Sequence, residues 1–504
     1  MVATGTPPVR VTSTRSSRMA AATCAVGVAS VLAVALTTHA DTFTETDSIN
    51  LAKGLQHYSV ATDSPHPPGY PLVVLTAHLF TWTGSILNAY LSVAVLAAIA
   101  TIVITFLLGR ELFGARAGAI AVLALIASPL FLYYSGIVSV YLTEAAMAPA
   151  IALIAHRVAR RADSVSAFLL FPVLALGGGF RPTMLLLMLP VCAVGIIIGR
   201  PPVRSILIGA LIAVTIVASW SIPMVLKSGG WHAYWQASQS LYDRQGKNSS
   251  LLFGASLHLA IHNLEVALAA TAMVALPAAA IVVLASRRRR SKSRGREDVP
   301  VTRRIGAPAR WILGAWFVPY AVVYFAVQLG KPGYVLAYLP LAAVLAGGLV
   351  AMSPRALPVA GGIAFVLILV FLTLPQWPLP WRLDAFFPTA HAVHVQDQDA
   401  QGLKSVGQVC PRASCTIVSL DPSKRYWYHD AESLVRWYSD GARTVPVGQV
   451  ENSVGTLENM EAYWVGVVVP AAVEKLAIPV ATFGTWQVFR SSPATTDKIL
   501  ASNI

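Results

Sequence analysis

The chain has 504 residues, of which 56% are hydrophobic and 12% are charged, and its net charge is +14. Soluble domains are about 45–50% apolar and about 25% charged, so this composition excludes an ordinary soluble protein. Apolar stretches of roughly 20 residues, the length of a transmembrane helix, recur along the chain. They are continuous and do not alternate, which favours helices over a closed β-barrel. We therefore expect a polytopic α-helical membrane protein.

The first apolar run follows a basic flank and is about 20 residues long, whereas the apolar region of a signal peptide has about 7–15 residues. We interpret it as an uncleaved membrane span, the first of about eleven. The predicted spans are 19–39, 86–109, 117–134, 137–155, 166–180, 183–199, 205–223, 262–286, 311–329, 335–352 and 357–375. The segment Tyr70–Thr83 is too short to cross and is expected to be re-entrant or interfacial.

Lys and Arg residues are distributed unevenly between the connections. If the N-terminus is cytoplasmic, the cytoplasmic segments hold 21 of the 37 Lys and Arg residues, and the opposite loops before residue 376 hold six. This asymmetry obeys the positive-inside rule. The basic cytoplasmic loop 287–310 lacks the interleaved aromatic residues of a nucleic-acid site. We predict a cytoplasmic tail at 1–18, a transmembrane domain at 19–379 and an extracytoplasmic domain at 380–504.

The last part of the chain has a different composition. Aromatic and β-branched runs (CTIVSL, YWVGVVVP and TWQVFR) alternate with helix-like polar stretches, such as Gln401–Val406 and Asp430–Tyr438. That alternation predicts a small α/β domain. In an extracytoplasmic domain Cys410 and Cys415 could form a disulfide, and two free thiols are the alternative.

The polar loop 40–85 follows the first span. Its segment Asp41–Leu72 contains three Asp, one Glu and two His residues and ends in the rigid block PHPPGYP, 65–71. We expect this loop to form the floor of an active site at the membrane surface, with Asp47 as its catalytic carboxylate. The alternative is that Asp47 caps the amphipathic stretch that follows it.

Other unusual residues are predicted on the same side of the membrane. Glu144 begins the fourth span, Arg181 follows three glycines in GGGFRPT, and Lys331 and Tyr334 belong to GKPGYVLAYLP. A carboxylate can serve as general base for an acceptor hydroxyl. Cations beside glycine turns can hold a phosphate, and aromatic faces suit sugars and apolar tails. A lipid-linked phosphosugar needs all three at the membrane boundary.

In this order the motifs resemble the GT-C glycosyltransferase superfamily, and most of all its bacterial members related to protein O-mannosyltransferases. The resemblance covers most of residues 20–375 and rests on HPPGYPL after the acidic loop, SPLFLYYSGIVSVYLTEA, GGGFRPT, PMVLKSGG and GKPGYVLAYLP. It implies a polyprenyl-phosphate sugar donor and transfer of a hexosyl, mannosyl or pentosyl group on the outer face. The first-loop acid of the family falls on Asp47. Many relatives have an adjacent acidic pair there, whereas this chain has Glu45 and Asp47 separated by Thr46.

The predicted catalytic residues are Asp47 and Glu144. The predicted donor-phosphate site consists of His66, Arg181, Lys331 and Tyr334. Apart from Asp47, whose alternative is given above, the structural alternatives are Glu144 as the partner of an interfacial cation, Arg181 as a headgroup contact, and His66, Lys331 and Tyr334 as parts of rigid turns. Glu45 and Asp63 are expected to be solvated or turn residues. The first-loop carboxylates and Glu144 could be ligands of a divalent cation. No dense ligand motif requires such an ion, and the resemblance implies metal-independent relatives.

The predicted function is sugar transfer from a polyprenyl-phosphate donor to an acceptor hydroxyl, with inversion and with Asp47 as base or acceptor-orienting residue. The acceptor would be a protein, or a glycan or lipid of the cell envelope, and the partners include membrane lipid but no nucleic acid. The C-terminal domain would position the acceptor or gate the loop.

The alternatives are a transporter or flippase of lipid-linked sugars and a non-catalytic assembly subunit. Transporters often show repeated halves and mid-membrane ionisable residues, whereas here no half-repeat is evident and the ionisable residues cluster at one face.

Overall fold

A computed structural model of the chain describes residues 14–243, 250, 252, 254–286, 306–327, 331–375, 388–410, 415–420, 431–438, 443–446, 460–466, 469–483 and 486–502. Most of the predicted cytoplasmic tail, 1–13, and most of the predicted basic loop, 287–305, lie outside these residues. The described part is a set of apolar helices followed by a domain that contains a five-stranded sheet.

The helices of the first part of the chain are α1 (Thr14–Thr38), α2 (Thr46–Gln56), α3 (Pro71–His78), α4 (Ile86–Phe113), α5 (Ala115–Ile126), α6 (Pro129–Ser135), α7 (Tyr141–Arg161), α8 (Ser164–Phe180), α9 (Met184–Gly199) and α10 (Val203–Lys227). They are followed by α11 (Trp231–Leu241), α12 (Leu257–Ser286), α13 (Ala307–Val322), α14 (Leu339–Val350) and α15 (Ala356–Thr373). A short 3-10 helix, Pro332–Ala337, precedes α14.

Seven helices of the described residues are long and apolar enough to cross a membrane by length and composition. They are α1, α4, α7, α10, α12, α13 and α15. Three shorter apolar helices, α8, α9 and α14, coincide with further predicted spans. The predicted fold class, a polytopic helical membrane protein with a small C-terminal α/β domain, is confirmed.

The predicted span 117–134 is not one straight helix. It is the pair α5 and α6, which is bent by 73° at the break between them. Pro129 is the first residue of α6, and Ser128 before it has an extended conformation. A proline disfavours the helical conformation of the preceding residue, so the sequence Ser-Pro ends α5 and restarts the chain in a new direction.

Small residues allow the apolar helices to approach closely. A Cβ atom added to Gly347 of α14 would lie 2.3 Å from the carbonyl oxygen of Ala117 in α5. A Cβ added to Gly209 of α10 would lie 2.4 Å from the carbonyl oxygen of Phe168 in α8. Such contacts are typical of helices packed in a membrane, where van der Waals contact drives association.

The loop between α1 and α4 folds back on the helices. The Tyr90 hydroxyl of α4 donates a hydrogen bond to the Leu51 carbonyl of α2 at 2.6 Å. The Tyr58 hydroxyl donates to the Gly69 carbonyl within the proline block at 2.7 Å. The segment that was predicted to be re-entrant or interfacial contains α3, a helix of eight residues that is too short to cross a membrane.

The described part of the C-terminal domain starts at residue 388 and contains α16 (Ala390–Val409), α17 (Ala431–Tyr438), α18 (Ala471–Leu476) and α19 (Pro493–Leu500). Its strands are β1 (Cys415–Ser419), β2 (Arg443–Pro446), β3 (Glu461–Gly466), β4 (Ile478–Phe483) and β5 (Trp486–Ser491). The strand order is β2-β1-β3-β5-β4, with β1 parallel to β2 and β3 and with β5 antiparallel to both of its neighbours. Cys410 and Cys415 form a disulfide, which decides between the two alternatives in favour of the bridge.

Candidate active site

The first turn of α2 carries two acidic residues. Glu45 is the N-cap: its carbonyl accepts the first helical hydrogen bond from Ile49, and its N–H donates to the Ser48 hydroxyl at 3.0 Å. Asp47 is the second residue of the helix, so the alternative interpretation of Asp47 as the cap is wrong. An acid in the first turn is favoured there by the helix dipole.

The proline block places His66 beside the start of α2. His66 Nδ1 lies 3.6 Å from Asp47 Oδ1, which is too long for a hydrogen bond, and this nitrogen has no hydrogen-bond partner among the described residues. The other ring nitrogen, Nε2, shares a hydrogen bond of 3.2 Å with the Tyr70 hydroxyl. Tyr70 itself has a left-handed backbone conformation, with φ of 45°.

Lys331 completes this group from the other end of the chain. Its Nζ lies 2.6 Å from Asp47 Oδ2 and 3.5 Å from Glu45 Oε2. The Glu45 side chain is only 4% exposed, whereas Asp47 and Lys331 are 28% and 26% exposed. The Asp47–Lys331 pair is therefore the part of the group that a ligand can reach.

Burial and charge oppose each other at this pair. Burial by itself raises the pKa of Asp47, but the charge and the hydrogen bond of Lys331, together with smaller contributions from His66 and Arg181, outweigh burial and lower the pKa to about 2. Burial by itself lowers the pKa of Lys331, but Asp47 and Glu45 outweigh it and raise the pKa above its ordinary value. Both groups are therefore charged at neutral pH.

The two other titratable groups respond mainly to burial. Burial raises the pKa of Glu45, with the charge of Lys331 opposing the rise. Burial lowers the pKa of His66, with the charge of Asp47 opposing the fall, so the imidazole is neutral at neutral pH. The group thus combines one ionised and accessible carboxylate, one cation and one neutral imidazole.

A second ion pair joins the ends of α7 and α8. Arg181 Nη1 lies 2.5 Å from Glu144 Oε2, and the two side chains are only 7% and 2% exposed. The guanidinium also lies over the Tyr334 ring at 4.6 Å and over the Tyr141 ring at 5.5 Å. Cation–π contacts of this kind stabilise a desolvated guanidinium.

The turn from Lys331 to Tyr334 contacts both ion pairs. Lys331 binds Asp47, and three residues later the Tyr334 ring lies against Arg181. Gly333 lets this turn pack against α7, because an added Cβ would lie 2.2 Å from the Tyr141 ring. The two ion pairs are thus parts of one structural unit.

All six predicted site residues lie in this unit. Asp47, His66 and Lys331 form one group, and Glu144, Arg181 and Tyr334 form the other. Both cations have carboxylate partners, and the partner of Glu144 is a cation, as its structural alternative stated.

Sequence reasoning missed three members of the unit. Glu45 is buried beside Lys331 and not solvated, Tyr70 contacts His66, and Tyr141 contacts Arg181. The only signal for them was their position within the motifs. Asp63, which was also expected in a turn, has a left-handed conformation after a 3-10 turn.

The described residues do not form a metal-type cluster. No group of three or more His, Cys, Asp or Glu side chains among them is arranged to hold a metal ion. The accessible carboxylate, Asp47, is already neutralised by an ammonium group. These residues do not fit a divalent cation, and we derive no chemical step through one.

No protein-family model matches the chain, and no curated protein matches it. Among solved structures the chain is similar to ArnT from Cupriavidus metallidurans bound to undecaprenyl phosphate, with a TM-score of 0.57, 14% identity, and coverage of 95% of this chain and 99% of that one. Apo ArnT gives the same TM-score and identity, with coverage of 96% and 99%. The apo oligosaccharyltransferase of Archaeoglobus fulgidus gives a TM-score of 0.49 at 11% identity, with coverage of 88% and 69%.

The structure of ArnT, which has a GT-C fold, matches this chain over nearly the full length of both. The chain has a GT-C-like fold. The predicted resemblance is thereby confirmed for the fold. Within the GT-C-like fold, the two ion pairs and their shared turn form the candidate active site.

Proposed function

We propose that this protein is a membrane glycosyltransferase that transfers a sugar from a polyprenyl-phosphate donor to an acceptor hydroxyl. The observation that carries the proposal is the accessible Asp47 carboxylate, held by Lys331 and facing Nδ1 of His66, which has no hydrogen-bond partner in the described part of the chain. The GT-C-like fold and the undecaprenyl phosphate bound to ArnT support a lipid-phosphate donor. The protein would act in the plasma membrane, with its N-terminus cytoplasmic and its C-terminal domain extracytoplasmic, as the distribution of Lys and Arg indicates.

The donor phosphate would bind at Lys331 and His66. Lys331 is the accessible cation, and its ammonium group can exchange the Asp47 carboxylate for a phosphate oxygen. If the Tyr70 hydroxyl donates to Nε2 of His66, the ring proton resides on Nδ1 and is available to the phosphate. Arg181 would contribute positive charge from behind the Tyr334 ring, three residues after Lys331.

Asp47 would serve the acceptor. Its low pKa keeps the carboxylate ionised, and loss of the Lys331 contact to the donor phosphate would make it more basic at the moment when a base is needed. The acceptor oxygen would attack the anomeric carbon as its proton passes to Asp47. The bond between that carbon and the phosphate oxygen would break, and polyprenyl phosphate would leave. A single displacement of this kind inverts the anomeric configuration.

Glu144 would act differently from the predicted catalytic role. It is 2% exposed and neutralises Arg181, so its contribution to the reaction would be to hold the guanidinium behind the Tyr334 ring. The acceptor would be a protein, or a glycan or lipid of the cell envelope, and the sugar a hexose or a pentose.

The test is sugar transfer by Asp47→Asn in reconstituted membranes. We expect a loss of kcat on the order of 100-fold or more with a panel of undecaprenyl-phosphate-linked hexoses and pentoses, because general-base catalysis contributes roughly 10²–10⁴-fold. The matched control is Asp243→Asn, at an exposed carboxylate that follows α11. A folded Asp47→Asn protein with wild-type turnover would refute the role of Asp47. Wild-type protein that transfers no sugar from any of these donors and leaves them intact would refute the enzyme class and favour a transporter or an assembly subunit.

A further inference from the structure

The segment that leads from α1 into α2 is held by the C-terminal domain. Asp397 of α16 is only 5% exposed, and both of its carboxylate oxygens accept hydrogen bonds from the Asp41 N–H, at 3.0 and 2.9 Å. The Thr42 hydroxyl donates to the same carboxylate at 2.5 Å. One buried side chain of the C-terminal domain thus binds two consecutive residues of the first loop.

The next residue is held by α17. The Tyr438 hydroxyl accepts a hydrogen bond from the Phe43 N–H at 2.6 Å and donates one to the Phe43 carbonyl at 2.9 Å. The Trp437 ring meets the Phe43 ring edge-on, with centroids 6.0 Å apart. A single hydroxyl therefore satisfies both backbone groups of a buried residue, which are costly to leave unpaired.

The apolar helices contribute fewer of the described hydrogen bonds to this segment. The described backbone bond between the segment and that part of the protein joins the Ala40 N–H to the Gly136 carbonyl at 2.8 Å. Beyond Ala40, the hydrogen bonds of residues 41–43 described above all go to the C-terminal domain.

This segment ends where the candidate active site begins. Only Thr44 separates Phe43 from Glu45, the N-cap of α2, and Asp47 lies in the first turn of that helix. A change in the path of residues 41–43 must therefore be absorbed by Thr44 or passed on to the two acids.

We propose that Asp397 and Tyr438 are positioning residues, through which the C-terminal domain sets the place of Asp47 relative to Lys331. The proposal rests on the proposed function for its catalytic part, whereas the contact between the domain and the segment is independent of it. The C-terminal domain is then a working part of the active site although neither residue touches the reacting atoms.

The test uses Tyr438→Phe and Asp397→Asn in the full-length protein in nanodiscs. Phenylalanine keeps the ring and removes both bonds to Phe43, and asparagine keeps the shape of Asp397 and removes part of its acceptor capacity. We expect kcat to fall roughly 10–100-fold, since misplacement of a catalytic group by about 1 Å can cost about 100-fold. The KM for an undecaprenyl-phosphate sugar should change little. The acid limb of kcat/KM should move to higher pH as Asp47 leaves Lys331.

Hydrogen exchange of the peptide 40–49 provides a readout without catalysis. Exchange at 41–43 should be faster in both variants and unchanged in Lys475→Gln, a control at an exposed position of α18. The proposal is overturned if exchange of this peptide is unaffected, or if exchange rises while kcat and the pH profile stay at wild-type values. If the wild-type protein transfers no sugar, the proposed function fails, and exchange at Asp47 and Ile49 still decides whether the domain positions the first turn of α2.

Discussion

Lys331 Nζ lies 2.6 Å from Asp47 Oδ2, although the two residues are 284 positions apart in the chain. The pair joins the first loop to the turn that precedes α14. Each partner is about one quarter exposed, so the bond forms where a charged ligand can compete for either partner. A phosphate at Lys331 and a hydroxyl at Asp47 would replace the two halves of this bond.

Replacement of Lys331 by methionine is expected to shift the acid limb of the pH–activity profile to higher pH. Lys331 lowers the pKa of Asp47 to about 2, so in the wild-type protein Asp47 stays ionised across the working range. Without the ammonium group, burial is opposed only by His66 and Arg181, so this pKa rises, and activity is lost as the pH falls through the new value. The measurement is kcat/KM between pH 4 and 8. Lys227→Met, at an exposed lysine, is the control, and a Lys331→Met profile parallel to wild type contradicts the prediction.

Substitution of His66 by glutamine is expected to weaken donor binding. The imidazole is neutral, and its Nδ1, which forms no hydrogen bond with any residue that the structure describes, is placed to donate to a phosphate. Hydrogen bonds to charged groups contribute about 1.5–3 kcal/mol, so affinity for undecaprenyl phosphate should fall roughly 10–100-fold. Calorimetric titration with that lipid in detergent checks the value. His78→Gln, at an exposed histidine of α3, should bind as wild type does. Equal affinity of both variants would remove His66 from the phosphate site.

Removal of one member of the Arg181–Glu144 pair is expected to destabilise the protein strongly. Both side chains are almost fully buried, and a buried charge without its partner costs about 3–5 kcal/mol. Arg181→Ala and Glu144→Ala should each lower the thermal midpoint of unfolding. The double variant should be destabilised by much less than the sum of the two single destabilisations. Thermal unfolding followed by Trp fluorescence measures this coupling. Additive losses would mean that the ion pair does not form.

Alanine at Gly333 is expected to disturb the site through packing alone. The new Cβ would lie 2.2 Å from the Tyr141 ring, so either the ring or the turn must move. Overpacking typically costs about 1–3 kcal/mol, and a shift of the turn displaces Lys331, so both stability and kcat should fall. Gly314→Ala in α13 is the matched control, since no atom of the residues that the structure describes lies within 4 Å of its added Cβ. Wild-type turnover of both proteins would show that the site tolerates movement of the turn.

Much of the helical part could be predicted because lipid requires apolar runs of fixed length. Each predicted span coincides with an apolar helix or, at 117–134, with a bent pair. The bend was missed because the apolar run continues through Ser128 and Pro129. The charge asymmetry and the order of motifs also indicated which turns carry the site residues.

The partners within the site could not be predicted, since they depend on contacts between distant turns. Glu45 was predicted to be solvated because it lies in a polar loop. It is buried because it is the N-cap of α2 and its carboxylate lies beside Lys331. In the C-terminal domain, strands β1, β3 and β5 were signalled by apolar runs. Strand β4 lies at the edge of the sheet and is largely exposed, so its sequence carries no burial pattern, and β2 has only four residues.

The turn from Lys331 to Tyr334 couples the two ion pairs, so binding of a ligand at Lys331 would also affect Arg181. A ligand that draws Lys331 away from Asp47 pulls on a backbone segment whose next aromatic ring covers the Arg181 guanidinium. The surroundings of Arg181 would then change when a donor binds at Lys331, although the donor does not contact Arg181. An environment-sensitive probe near Arg181 would therefore report whether a ligand is bound at Lys331, because the turn from Lys331 to Tyr334 connects the two ion pairs.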